Sequence, residues 1–166
     1  WNKNETHVYG FGINSEKDIK RAKRIGDFTV IDGDANSYPA DLYAKRSSII
    51  MLITEKGYLN VIEEFAYTWF NRFIALRFME IHDFLPHGFR VLSSSNDGVE
   101  PDILKNISLV KDELEINIDK CVIIIEQNDV EELFRYVLMC QCNVLSDILP
   151  MLFTKDEDYM ELLLPK

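Results

Sequence analysis

Between Gly57 and Pro86 the chain reads GYLNVIEEFAYTWFNRFIALRFMEIHDFLP. Leu59, Ile62, Phe65, Ala66, Trp69, Phe73 and Leu76 recur at three- and four-residue steps, the period of an α-helix. Phe70, Ile74, Phe78 and Ile81 fill a second stripe beside the first. The pattern predicts one long helix over about 58–84. A helix apolar on two stripes is expected at the centre of a domain, wrapped by other elements. Glu63, Glu64, Asn71, Arg72, Arg77 and Glu80 interrupt the run. Charged side chains at mid-bilayer are costly, so the stretch reads as a core helix and not as a membrane span. It speaks for architecture and is silent on activity.

With 166 residues, 47% of them hydrophobic, the chain is long enough for one domain with a real core. Its net charge of −10 is unevenly placed. Residues 1–95 are electrically balanced, and residues 96–166 hold the whole acidic excess. That back half argues against nucleic acid lying across it, because phosphate contacts need a basic field. The balanced front half leaves room for a local basic patch. Cys121, Cys140 and Cys142 lack the paired C-x-x-C spacing of a zinc site and are expected as buried free thiols in a reducing cytoplasm. The start at Trp1 and the end at Leu164-Pro165-Lys166 suggest a piece of a longer protein.

The first 37 residues read as an irregular lead-in containing some β structure, and residues 38–166 as the helical core. Gly10-Phe11-Gly12 echoes a nucleotide loop but reads better as turn glycines. Ser15 would cap a short helix closed by Gly26. Lys17, Lys20, Arg21 and Arg24 would share one face of that helix, either as a phosphate-contacting ridge or as a solvated face. Phe28–Asp32 alternates and is β-branched, so a strand is expected, with Phe89–Ser93 as its candidate partner. Pro39 would open a helix to about Lys56, carrying Lys45 and Arg46. These two could reach a phosphate or snorkel from a core edge.

Beyond the central helix, His82 and His87 flank a break and lack companions at metal-ligand spacing. Pro101 would open a helix to about Val110. Val122-Ile123-Ile124-Ile125 has strong β-propensity, yet the absence of framing turns favours a helix there. Asn128, with Glu131 three residues on, reads as the capping box of a last long helix. Gln141 falls on its buried side and needs a partner, for which Arg72 or Asn71 is the expectation. Tyr159–Leu164 is a short apolar tail that suggests continuation into another fold.

No catalytic constellation is present: there is no Walker loop, G-x-S-x-G, H-E-x-x-H or S-x-x-K. Glu63 and Glu64, adjacent on a helix, diverge and do not share a site. Arg77 and Glu80 stand at the i,i+3 spacing of a helical ion pair.

Ala66-Tyr-Thr-Trp-Phe-Asn-Arg72, running on through Ile74-Ala-Leu-Arg-Phe-Met-Glu80, resembles the N-terminal helical region of the PglX family, the adenine-specific DNA methyltransferases of BREX phage-defence systems. The order continues in His87-Gly-Phe-Arg-Val-Leu-Ser93, in Glu132-Leu-Phe-Arg135, in Gln141-Cys142 and in Leu149-Pro150 up to Phe153. Glu161-Leu-Leu-Leu-Pro165 resembles the junction into the methyltransferase domain. The resemblance covers roughly residues 40–165. It implies a parent enzyme that carries a methyl group from S-adenosylmethionine to adenine N6 in DNA, with a flipped base held by an (N/D)PP(Y/F) motif. That motif and the glycine-rich cofactor loop are absent here, so no catalytic residue, cofactor ligand or metal ligand can be assigned to this chain.

The expectation is therefore a mainly α single domain, a multi-helix bundle around the long helix with a small two- or three-stranded β element. It would be a non-catalytic N-terminal part of a larger cytoplasmic methyltransferase. Its partners would be the downstream methyltransferase domain, DNA and other defence proteins, with no membrane. DNA contacts are expected from Lys17, Lys20, Arg21, Arg24, Lys45 and Arg46. Structural roles are expected for Trp69, Phe70, Asn71, Arg72, Phe73 and Gln141. The alternative is a stand-alone helical protein-interaction module.

Overall fold

The computed structural model describes residues 12–15, 18–96 and 98–153. Three short strands precede the helices: β1 (Ala22–Ile25), β2 (Phe28–Ile31) and β3 (Ser37–Pro39) form one antiparallel sheet in the order β1-β2-β3. The helices are α1 (Asp41–Lys56), α2 (Tyr58–Ile81), α3 (Asp102–Lys105), α4 (Ile107–Val110), α5 (Ile118–Glu126) and α6 (Val130–Ile148). The architecture is mainly α with a small β element, as expected. The described residues divide into two compact units, one before Thr68 and one from Thr68 onward.

In the first unit, β1 and β2 meet at a tight hairpin whose last pair is Ile25↔Phe28. Gly26 turns the corner at φ 60°. A glycine with positive φ serves a hairpin as readily as a helix end, which is why the segment before it reads as a helix in the sequence. The helix expected from Ser15 to Ile25 is replaced by strand β1 because pairing with β2 satisfies its backbone. The strand expected at Phe28–Asp32 is present as β2, but its partners are β1 and β3 rather than Phe89–Ser93. Gly12, at φ 70°, is packed so closely that an added Cβ would sit 2.8 Å from Ile31 Cγ2. Gly10 lies outside the described residues.

Pro39 ends β3, and α1 starts two residues later at Asp41. Helix α1 buries Leu42, Arg46, Ile49 and Ile53, one face at helical spacing. Gly57, at φ 87°, separates α1 from α2, and its N–H donates to Ile53 O at 2.8 Å. Ile13, Ile49, Ile53, Tyr58, Val61, Ile62 and Phe65 form the core of this unit. Lys56 and Glu64 close an ion pair at 2.7 Å on its surface.

In the second unit, α2 buries Trp69, Arg72, Leu76, Met79 and Glu80. The second stripe does not follow: Phe70 is 60% exposed, Ile74 53%, Phe78 54% and Ile81 51%. This corrects the expectation that Phe70 belongs to the core. One helix face is covered by its own unit and the other is open.

Glu80 organises what comes after α2. Its carboxylate accepts from the backbone N–H of Val91 at 2.9 Å and of Leu92 at 2.8 Å, and from Ser93 Oγ at 2.9 Å. Arg77 Nη1 donates to it at 2.5 Å and to Ser93 Oγ at 2.7 Å. The Glu80 side chain is fully buried, 0% exposed. Phe89–Ser93 is thus an irregular segment in which the Val91 and Leu92 amides are satisfied by a side chain and not by a strand partner.

Pro101 precedes two single-turn helices, α3 and α4, rather than one helix to Val110. Helix α5 includes Val122–Ile125, as expected, and is capped by Asn117. Tyr136 on α6 holds the start of α5: its hydroxyl accepts from Asn117 N–H at 2.9 Å, and its ring lies 4.2 Å from Lys120 Nζ. The cap of α6 is Asp129, which accepts from Glu132 N–H at 2.9 Å. Asn128, expected as that cap, instead takes φ 55° in the turn before it, a conformation asparagine tolerates well.

Replacing Glu80 by Ala leaves one buried and one part-buried N–H group and a serine hydroxyl without their acceptor. We expect a loss of about 3–5 kcal/mol in chemical denaturation of the chain. The same change at Leu109, which is 71% exposed, is expected to stay within about 0.5 kcal/mol.

Candidate functional site

Among the described residues, two surfaces have the chemistry to recognise something: a cationic edge in the first unit and an apolar face in the second. The cationic edge is β1 and the residues leading into it. Lys20, Arg21, Lys23 and Arg24 are all exposed. They are carried by an edge strand and its approach, not by a helix face. Arg24 Nε donates to Gly26 O at 3.1 Å, which fixes the guanidinium beside the hairpin. Charged side chains on an edge strand also guard it against pairing with other chains.

The six cations expected to meet DNA are therefore not brought together. Lys17 lies outside the described residues. Lys45 is turned into α1 and pairs with Asp41 at 2.9 Å. Arg46 is buried, 5% exposed, and donates to Lys20 O. Burial pulls its guanidinium below the ordinary value. It fastens α1 to the segment before β1 and has no reach toward a ligand. Lys20, Arg21 and Arg24 remain accessible, and Lys23 joins them.

Asp34, beside this edge, accepts from the Tyr38 hydroxyl at 2.6 Å and from Asn36 N–H at 2.9 Å. These hydrogen bonds, with a contribution from Lys20, hold its carboxyl below the usual range. The Tyr38 hydroxyl is pushed up by burial and by Asp34.

The residues expected to be structural have varied fates. Trp69 is 1% exposed and stacks obliquely on Phe73, with ring centroids 5.7 Å apart. The Arg72 guanidinium carbon sits 5.1 Å from the Trp69 ring, and Arg72 Nε donates to Leu152 O at 3.4 Å. Asn71 is half-buried. Gln141 is buried, and its partner is neither Asn71 nor Arg72 but His87: Gln141 Oε1 lies 2.7 Å from His87 Nε2. Phe89 N–H donates to His87 Nδ1 at 3.1 Å, so Nε2 carries the proton and donates to the amide oxygen. The histidine singled out beside the chain break thus pins the loop onto α6.

Cys121 and Cys142 are buried and Cys140 is half-buried. Burial pushes the Cys121 thiol up, against the opposing pull of Lys120. Among the described residues no group of histidines, cysteines and acids could hold a metal ion, and no helix is long and apolar enough to cross a membrane.

The apolar face was not legible as a site in the sequence. Phe70, Ile74, Phe78 and Ile81 on α2 line an open groove of about 700 Å³ with Phe73, Arg77, Leu92 and Phe134. Beyond it, Phe78, His82 and Phe84 form an aromatic cluster, with centroids 4.4 Å apart for Phe78–His82 and 5.7 Å for His82–Phe84. The signal that could have found it was the double stripe itself, since a helix of this length needs only one apolar face to join a core.

The sequence is homologous to a part of adenine-specific methyltransferases. The chain is 35% identical over 160 residues to the adenine-specific methyltransferase BrxX of Escherichia coli O9:H4 (strain HS), a match that takes in 93% of this chain and 13% of that protein. It is 44% identical over 111 residues to the adenine-specific methyltransferase PglX of Lacticaseibacillus casei (strain Zhang), covering 63% of this chain and 9% of that protein. The resemblance read from the AYTWFNR run is thereby upheld, and the chain spans only a small part of the length of these relatives. No model of a protein family matches it.

Replacing Gln141 by Leu keeps the shape but leaves His87 Nε2–H without an acceptor. We expect a loss of about 1–3 kcal/mol by chemical denaturation. Lys23→Ala, on the exposed edge, is expected to change stability by no more than about 0.5 kcal/mol.

Proposed function

We propose that this chain is a non-catalytic, N-terminal accessory segment of a BREX-type N6-adenine DNA methyltransferase acting in phage defence. The observation that carries the reading is the homology over 93% of this chain to a methyltransferase of which it matches only 13%. Its sequence also lacks both the base-holding motif and the glycine-rich cofactor loop. S-adenosylmethionine would be held by the parent protein outside this segment, and the parent would work in the cytoplasm. Within the parent, the segment supports the methyltransferase domain and contributes contacts to DNA or to other defence subunits.

The DNA contacts fall to Lys20, Arg21 and Arg24, with Lys23 beside them. Their exposure on β1 and the residues leading into it, within the charge-balanced front half of the sequence, supports this assignment. Lys45 and Arg46 are withdrawn from it because their side chains are committed within the fold. The second reading, a module that binds another protein, is favoured by the open apolar groove on α2. It predicts a defence-subunit complex that is indifferent to DNA.

The isolated chain is expected to transfer no methyl group from S-adenosylmethionine to DNA, while the parent without residues 1–166 is expected to lose methylation of its target. A parent that methylates normally without this segment would refute the accessory role. For the DNA contacts, charge reversal of Lys20, Arg21 and Arg24 together should flatten the slope of log affinity against log salt by about 2–3, at about 0.9 per phosphate contact. An unchanged slope would remove DNA from the assignment.

A further inference from the structure

We infer that the open apolar face of α2 is the seat of the methyltransferase portion of the same polypeptide. The inference rests on the accessory reading above and names the surface that reading needs. Phe70, Ile74, Phe78 and Ile81 succeed one another at helical spacing, each more than half exposed, and Phe84 continues the line at 63% exposure. Leu92 and Phe134 wall the groove beside them. Contiguous exposed aromatic and aliphatic surface of this kind marks a docking site more often than an accident of the fold.

A small polar ligand, a second copy of this chain, a separate protein and the remainder of the parent are the conceivable occupants, and the observations favour the last. A small polar ligand would need convergent polar groups to orient it. The groove offers one polar side chain, Arg77, whose Nη1 is already engaged by Glu80 and Ser93. A second copy of this chain would bring together two bodies of net charge −10, which repel at the distances of an interface. An apolar surface on the remainder of the parent needs no polar groups here, and unlike a separate protein it is joined to this segment. The matched stretch is 13% of one relative and 9% of the other, so most of such a polypeptide lies outside this segment and is tethered to it. Tethering raises the effective concentration enough for a modest apolar surface to stay covered.

The groove is also built for an apolar partner. Leu92, one of its walls, is fixed by its own backbone N–H on the buried Glu80 carboxylate at 2.8 Å. Phe78 and Phe84 are held in mutual contact at 5.9 Å. Rigid aromatic anchors lose little freedom on binding and dominate interface energetics.

The test uses the full-length methyltransferase carrying a photo-crosslinking phenylalanine analogue in place of Ile74 or, separately, of Phe78. Mass spectrometry is expected to find crosslinks to peptides of the methyltransferase portion of the same chain, and a probe in place of Leu109 is expected to give none. Crosslinks to a second copy, to another protein or to nothing would overturn the inference. In parallel, the F70D/F78D double variant of the full-length enzyme should raise the rate of protease cleavage between segment and remainder about tenfold or more, as loss of a central aromatic anchor implies. An unchanged rate would overturn it. Should the crosslinks be missing while removal of residues 1–166 still abolishes methylation, the accessory reading stands and only the docking surface falls.

Discussion

A carboxylate shut away from water survives in a protein only when donors surround it, and Glu80 has four: two backbone amides, a serine hydroxyl and a guanidinium. It stands near the C-terminal end of α2, where a chain leaving a helix has no pairing of its own. By taking the N–H groups of Val91 and Leu92, it gives the returning segment the partners a strand would have supplied. Val91 can then be fully buried and Leu92 placed beside α2, although nothing regular joins them to the rest. The His87–Gln141 bond does the same for the other end of this segment, on α6. Polar contacts thus hold the segment that carries Leu92, one wall of the open groove.

The long helix, the strand at Phe28, the helix over Val122–Ile125 and the last long helix could all be read from periodicity and propensity. Three of the departures share one cause: a local signal with two structural uses. Gly26 suits a helix end and a hairpin. Pro39 suits a helix start and a strand end. Asn128 suits a cap and a left-handed turn residue, and Asp129 beside it takes the cap. In each case distant pairing or the neighbouring residue decided the matter. The double stripe on α2 was visible, but burial of both faces was assumed, and the exposed one proved to be the more informative. The Arg77–Glu80 pair was also visible. Its real office, anchoring a segment eleven residues further along, depends on a loop path that no spacing rule encodes.

Chemically the segment is built to hold and to be held. Among the described residues Glu80 is spent on a latch and Asp129 on a cap, the thiols are buried or half-buried, and the Nδ1 and Nε2 atoms of His87 are both engaged. Such a fold supplies rigidity and surfaces, and the chemistry expected of its methyltransferase relatives would be carried elsewhere in the polypeptide. Of the cations expected to meet DNA, those that remain accessible lie on β1 and its approach in the first unit, and the apolar face lies in the second.

The latch at Glu80 can be observed directly by amide hydrogen exchange in the full chain. Val91 and Leu92 sit in irregular backbone, where amides ordinarily exchange fast. Bound to a buried carboxylate, both should exchange as slowly as amides within α2, and both should become fast in the Glu80→Ala variant, which removes the acceptor. Exchange of Val91 and Leu92 at the rate of an open loop in the unaltered chain would contradict the account.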